Sequence, residues 1–361
     1  MLDTALIHPK EKALKPLVFG FSILIWAVVA CSVIGLCYGL AFVPFVLMAH
    51  AYFLGHVRGS GVRVDERQLP ELHRRVVAAS QRLGLPTVPE VYVLQSGGTL
   101  NAFATKLLSR TYVILFSELL DKCNTDEEID FVVAHELAHH AAGHLKSMLL
   151  TAPARLVPLL GPAYSRACEY TCDRAALTAT DSLEHGQRAL AVLAAGSKAG
   201  SRLDLAAFGA QQETAGEFWP AVAELASSHP YLPKRVAMLA EWNAERTGAP
   251  LPSAPPARPF FAYVLALFVG RQAAGLLVAV YLIGIMAAIA IPNFMKYRER
   301  ASGQAPASTA PYRVPSGSAN PPDDAESPEP DEAADDAADE AAAPAPREEP
   351  APPAGTRNRP H

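Results

Sequence analysis

The chain lacks a basic excess, a paired set of cysteines and, over one long stretch, any formal charge. Among 361 residues, 31 Lys and Arg face 36 Asp and Glu, for a net charge of -5. That deficit is local: from Ser302 onward there are 12 acidic side chains and 4 arginines, which leaves the first 301 residues at about +3. No basic stripe remains to attract a phosphate backbone, so a nucleic-acid partner is excluded. The five cysteines, Cys31, Cys37, Cys123, Cys168 and Cys172, are odd in number, and two fall inside an apolar run. They make a poor disulfide framework and fit a reducing compartment. Cys168 and Cys172 stand one helical turn apart, without the second Cys or His pair that zinc-finger spacing needs.

The charge-free stretch runs from Pro16 to Gly55. Its length is about twice the roughly 20 residues of one membrane crossing, so it reads as two tightly connected helices with a turn near Gly35 to Gly39. No small-residue cleavage site follows a short apolar core, which excludes a cleavable signal peptide. Lys10, Lys12 and Lys15 precede the run, and Arg58, Arg63, Arg67, Arg74 and Arg75 follow it. Positive residues on both sides place both ends in the cytoplasm. The expected order is a cytoplasmic N-terminus (1–15), a transmembrane hairpin (16–55) and a folded domain (62–247). A Pro-rich linker (248–259) and a second apolar run (260–294) follow, the latter interrupted by Arg271 and Gln272. Lys296, Arg298 and Arg300 favour a cytoplasmic exit. The tail from Ser302 to His361 holds 13 of the 31 prolines, cannot bury a core and is expected to be disordered. These features describe a multi-pass protein of the cell (inner) membrane, in contact with the lipid bilayer.

Between the apolar runs, strands are expected at 90–94, 99–105 and 111–116, and a helix at 72–85. The segment Thr125-Asp-Glu-Glu128 is a capping box opening a helix to about Leu149. Further helices are expected over 164–180, 182–198, 218–227 and from Leu232 to before Gly248. The fold class is mainly α with a small β-sheet, flanked by terminal transmembrane helices.

The chemistry gathers at His135-Glu136-Leu137-Ala138-His139. Helical positions i and i+4 share a face, so both imidazoles can reach one ion, while Glu136 sits beside it without being aimed to ligate. Zinc acidifies a bound water, and an adjacent carboxylate can take the proton. The preceding Phe131, Val132, Val133 and Ala134 mark a buried helix, where ionisable groups need a partner or a metal. A third histidine ten residues after the first is absent, because that position is Leu145, and His144 lies off the shared face. Glu169 and Asp173 also stand at i, i+4. One can ligate while the other accepts a hydrogen bond from a ligand histidine. Ser228-His229-Pro230 and Arg235 offer an oxyanion donor and a charge-assisted buttress.

Taken in order, Asn101-Ala102-Phe103-Ala104, the His135 to His139 motif, Glu169-x-x-x-Asp173 and His229-Pro230 with Arg235 resemble the membrane metallopeptidases of peptidase family 48. These are the HtpX-like and CAAX prenyl endopeptidase group, and the resemblance covers about 62–245. It implies an α+β gluzincin-type domain and one zinc per chain, ligated by His135, His139 and Glu169. It also implies Glu136 as general base, Asp173 as support for a ligand histidine, and His229 as a transition-state helper. Asn101 to Ala104 would form the edge strand that aligns an extended protein or peptide substrate.

Two departures narrow the expectation. HtpX-like proteins usually carry a transmembrane pair between the His motif and the glutamate ligand. Here residues 148–163 are short and broken by Pro153, Pro158 and Pro162, which reads as a lid or interfacial segment. Residues 284–294 are similar to the end of a type IV pilin's apolar helix, but the processing signal is absent, since the expected glutamate position is Gly275. The expected function is an integral-membrane zinc metalloendopeptidase acting on membrane or membrane-proximal proteins. The competing readings are a catalytically silent scaffold recruiting partners through its tail, and a pilus-associated assembly factor.

Overall fold

The computed structural model describes residues 2–31, 33–95, 97, 102–107, 110–251 and 254–303. The chain divides into two compact units, Met1–Tyr297 and Arg298–His361, and every element that builds the site lies in the first. The tail from 304 onward, with its expected disorder, falls outside the described residues.

In chain order the elements are α1 (Pro9–Cys31), α2 (Val33–Ser60), β1 (Val62–Arg63), α3 (Pro70–Arg82), β2 (Glu90–Leu94), β3 (Ala102–Leu107), β4 (Arg110–Phe116) and α4 (Ser117–Lys122). Then come α5 (Asp126–Ala141), α6 (Met148–Arg155), α7 (Leu160–Thr180), α8 (Leu183–Gly200) and α9 (Leu205–Ala210). A 3₁₀ turn, Gln211–Gly216, leads to α10 (Phe218–Ala226), α11 (Leu232–Thr247), α12 (Phe260–Ala266) and α13 (Gly270–Gly303). The described chain is thus mostly helical with a small sheet.

The sheet order is β1-β2-β4-β3, with β2 and β4 parallel and the other two pairs antiparallel. Side chains on β4 alternate between two cores, as a period of 2 requires. Val113 and Leu115 face the main core with Val133, Ala134 and Leu137 of α5, while Tyr112 and Ile114 meet Leu54 and Val57 of α2. The sheet therefore lies between the metal-motif helix and the end of the first apolar run.

Helix α5 begins as the capping box requires: the Thr125 hydroxyl accepts the backbone N–H of Glu128 at 3.3 Å. It does not reach Leu149. It stops at Ala141, and Gly143 turns the chain with φ +80°, a conformation open to glycine at little steric cost. Strand β3 starts at Ala102, and the earlier part of that expectation, 99–101, lies outside the described residues.

The first apolar run forms two helices, but the division falls between Cys31 and Val33, earlier than Gly35 to Gly39. Among the described residues, α1 is the helix long and apolar enough to cross a membrane, by length and composition alone. Its Leu17, Phe21, Ile23, Leu24 and Val28 are exposed. The residues before the run are more than a flank. Leu2 enters the main core and its N–H donates to the Ala141 carbonyl at the end of α5. His8 stacks on Tyr170 of α7 with ring centroids 5.1 Å apart. Helix α1 then packs on α6 and α7: Ser22 accepts the Ala154 N–H, and the Trp26 indole donates to the Leu150 carbonyl.

Candidate metal centre

Helices α5 and α7 pack along one another at the centre of the domain. Each brings one i, i+4 pair to the shared face, His135 and His139 from α5, Glu169 and Asp173 from α7. The Nε2 atoms of His135 and His139 each lie 3.4 Å from a different Glu169 oxygen. The two rings are 5.2 Å apart and nearly perpendicular, at 81°. Ligand bonds of about 2.0–2.1 Å at a tetrahedral angle separate donor atoms by roughly 3.4 Å. These three residues therefore have the spacing of a group able to hold a metal ion, with their donor atoms all within 4.8 Å of one another.

Asp173 is turned away from that triangle. Its Oδ1 accepts a hydrogen bond from His135 Nδ1 at 2.9 Å, which leaves Nε2 to face the site. Arg235 of α11 grips the same carboxylate with Nε and Nη2, at 2.8 and 2.6 Å, and its Nη1 lies 3.4 Å from Glu169. This is the two-pronged geometry that a guanidinium offers a carboxylate. His135, Glu169, Asp173 and Arg235 are buried, and His139 is half-buried. Burial alone would raise both acids. For Glu169, hydrogen bonds from His135 and His139 and the charge of Arg235 outweigh it and hold the carboxyl well below its usual range. Asp173 is lowered against its burial chiefly by Arg235. Burial depresses His135, but Asp173 and Glu169 overturn that and lift the metal-free ring to about 9. Metal binding must therefore displace a proton from it.

The site opens into a cleft of about 480 Å³. Glu136, the neighbour of His135 on α5, lines it, as do Ala102, Phe103 and Ala104 of β3. Among the described residues β3 forms one edge of the sheet and β1 the other. Asn101 lies outside the described residues. His229 stands at the mouth with its side chain 68% exposed and Nε2 3.8 Å from Glu169. Its loop is held by Arg166, which donates to the carbonyls of Glu224, Leu225 and Ser227. The lining also includes Met148, Leu156 and Val157, from α6 and the turn after it.

The sequence singled out His135, His139, Glu169, Asp173 and Arg235, with the separate parts of Glu169 and Asp173 taken from the family resemblance. It missed what lies behind His139. His144 approaches His139 Nδ1 at 3.1 Å, and Glu11, from the first turn of α1, lies 3.1 Å from the far side of the His144 ring. Glu11 carries no local signal, because it sits among lysines that read as a membrane flank.

Comparison with known proteins agrees with this constellation. The description "Peptidase family M48" matches residues 66–160 and again 149–243, a span that contains the triangle, Asp173 and Arg235. The chain is 32% identical over 134 residues to a plastoglobule-localized metallopeptidase 48 of Arabidopsis thaliana, covering 33% of this chain and 38% of that protein. It is 38% identical over 76 residues to a protease HtpX homolog of a Nostoc strain, covering 21% of this chain and 26% of the relative. It is 36% identical over 89 residues to a protease HtpX homolog of Halobacterium salinarum, covering 24% and 29%. The chain thus spans well under half the length of these curated relatives. No solved structure matches it. With the double match falling on the segment that carries the three ligand-type side chains and their support, the chain belongs to peptidase family M48.

Proposed function

We propose that the chain is a zinc-dependent endopeptidase held at a membrane, hydrolysing peptide bonds of membrane or membrane-proximal proteins. The observation that carries this reading is the donor triangle, with its 3.4 Å separations, sharing a cleft with the Glu136 carboxylate. One zinc per chain would be held by His135, His139 and Glu169. Bound there, zinc would polarise the scissile carbonyl and acidify a water.

The remaining work falls to the chain's own groups. Glu136 takes a proton from the attacking water and delivers it to the leaving amine, as general base and then general acid. His229, exposed at the mouth, donates to the oxyanion that develops on the carbonyl. Asp173 fixes the His135 ring so that Nε2 faces inward, and Arg235 keeps both nearby carboxylates ionised. Phe103 and Ala104 on β3 give an extended substrate a strand to pair with, and Asn101 belongs to that same stretch.

Helix α1, together with the apolar segments 33–55 and 260–294, would anchor the domain in the cell (inner) membrane as a multi-pass protein. Lys10, Lys12 and Lys15 in the first turns of α1, and the arginines from Arg58 at the end of α2 onward, favour a cytoplasmic catalytic domain. The decisive experiment compares wild type with Glu136→Gln in zinc content and in cleavage of a detergent-solubilised protein substrate. One zinc in both proteins, with hydrolysis lost only in the variant, is expected. Undiminished hydrolysis by a clean Glu136→Gln preparation would overturn the mechanism.

A further inference from the structure

The two metal-facing histidines are supported differently. His135 is held directly by Asp173, at 2.9 Å from its Nδ1. Among the described residues, no carboxylate bonds Nδ1 of His139. That atom meets Nδ1 of His144 at 3.1 Å, with the rings 5.2 Å apart and inclined at 63°. His144 in turn presents Nε2 to Glu11 Oε1 at 3.1 Å. The other Glu11 oxygen accepts the hydroxyl of Thr171, which itself accepts the backbone N–H of His8 at 3.0 Å. Glu11 and Thr171 are fully buried, and His144 is 5% exposed.

The proton order along this chain of bonds follows from the chemistry of ligation. A nitrogen that binds a metal carries no proton, so a neutral His139 ligating through Nε2 must carry its proton on Nδ1. His144 Nδ1 then has to accept, which leaves the proton of its own neutral ring on Nε2. That proton is donated to Glu11, a carboxylate and therefore an acceptor. Every donor along the line finds an acceptor, and the direction is fixed by the carboxylate at its end. Burying a carboxylate is costly, and the hydrogen-bonded partners of Glu11 are a histidine and a hydroxyl. Stability alone gives a poor account of such a placement.

Local backbone makes the arrangement possible. On a continued helix His144 would point away from His139. Because α5 ends and Gly143 takes φ +80°, the chain folds back and the His144 N–H donates to the His139 carbonyl at 3.1 Å. Glu11 reaches this point because the segment before α1 is docked by Leu2 and His8.

We infer that Glu11, acting through His144, positions the metal-facing histidine His139, which makes the first turn of α1 part of the metal site as well as the start of an anchor. The inference rests on the zinc reading above. A second metal, held by Glu11, His144 and Cys168 or by His139, His144 and Cys172, whose donor atoms also lie close together, is the competing use of these residues. Either site would take from His144 a hydrogen bond that already satisfies it.

The test is a double-mutant cycle on the full-length protein in detergent, read as zinc affinity by competition with a chromogenic chelator. His144→Phe keeps the ring's bulk and is expected to weaken zinc binding about 10- to 100-fold, the usual effect of losing a ligand histidine's support. Glu11→Gln, nearly the same shape, is expected to weaken it less, by up to about tenfold. Glu11→Gln should add under about twofold once His144→Phe is present, because its route to the metal has been cut. Trp26→Phe serves as the control, since it loosens α1 from α6 without touching Glu11. It should lower the melting temperature and leave zinc affinity alone.

Equal losses from Glu11→Gln in both backgrounds would overturn the inference. So would a Trp26→Phe loss matching that of Glu11→Gln, or two zinc ions per wild-type chain. Wild type that binds no zinc would overturn the proposed function as well. Wild type that binds one zinc with an affinity indifferent to Glu11 and His144 would overturn this inference alone.

Discussion

Replacing Arg235 by methionine removes the cation beneath the metal site while keeping most of the side chain's volume. In the folded protein its guanidinium makes two hydrogen bonds to Asp173, at 2.8 and 2.6 Å, and approaches Glu169 at 3.4 Å, all among buried side chains. Taking one partner from a buried ion pair costs about 3–5 kcal/mol, because the other charge is left without compensation. The lower end applies here. His135, lifted to about 9, carries a proton at neutral pH in the metal-free protein and offsets part of the loss. A loss of about 3 kcal/mol lowers the melting temperature of a domain this size by roughly 6–12 °C. Zinc should narrow that gap, since it brings two positive charges against Glu169 while displacing one proton from His135. The assay is thermal unfolding of wild type and Arg235→Met in detergent, with chelator and with zinc. Arg235→Lys should fall between them, because a point charge cannot reproduce the two-pronged contact. A metal-free Arg235→Met within about 2 °C of wild type, or a gap that zinc widens, would refute the reasoning.

Three further perturbations test the packing around the site. Burial, reinforced by Arg174 and Lys10 and opposed by Glu11, lowers His8 from 6.5 to about 3. The unfolded chain therefore binds a proton there below about pH 6.5 that the folded chain refuses, so this contribution is complete above that pH. It declines by about 1.4 kcal/mol per unit as pH falls toward 3. His8→Phe should flatten that part of the melting-temperature profile, and an unchanged slope would exclude His8 as its source. A Cβ at Gly186 of α8 would come within 2.8 Å of the Phe131 ring, which is buried behind the motif on α5. Gly186→Ala should therefore cost about 1–3 kcal/mol in denaturant unfolding, and a neutral result would show that the helices part freely. Finally, stripping metal with a chelator should lower the melting temperature of wild type. Restoring zinc at about 100 times its dissociation constant should add about 2.7 kcal/mol, whereas His135→Ala should show almost no response.

The legible part of this protein is the part set by short-range geometry. The four-residue spacing of His135 and His139, and again of Glu169 and Asp173, puts each pair on one helical face whatever the rest of the chain does. The same short-range logic marks the capping box at Thr125 and the strand expected at 111–116, which forms as β4. The end of α5 was hidden, because a glycine inside a helical pattern does not declare whether it will take positive φ. Gly143 does so where the chain must turn back.

What the residue order could not decide by itself was which members of each pair would face one another. Glu169 reaches the two histidines, and Asp173 supports one of them, because of how α7 lies across α5 and how α11 delivers Arg235. Glu11 is the extreme case. It stands 133 residues from His144, in a stretch whose lysines read only as a membrane flank, and it meets the site because Leu2, His8 and Ser22 dock that stretch against α5, α7 and α6. Periodicity determines which side chains share a face. Only the packing of faces from distant elements decides which of them come within reach of one another.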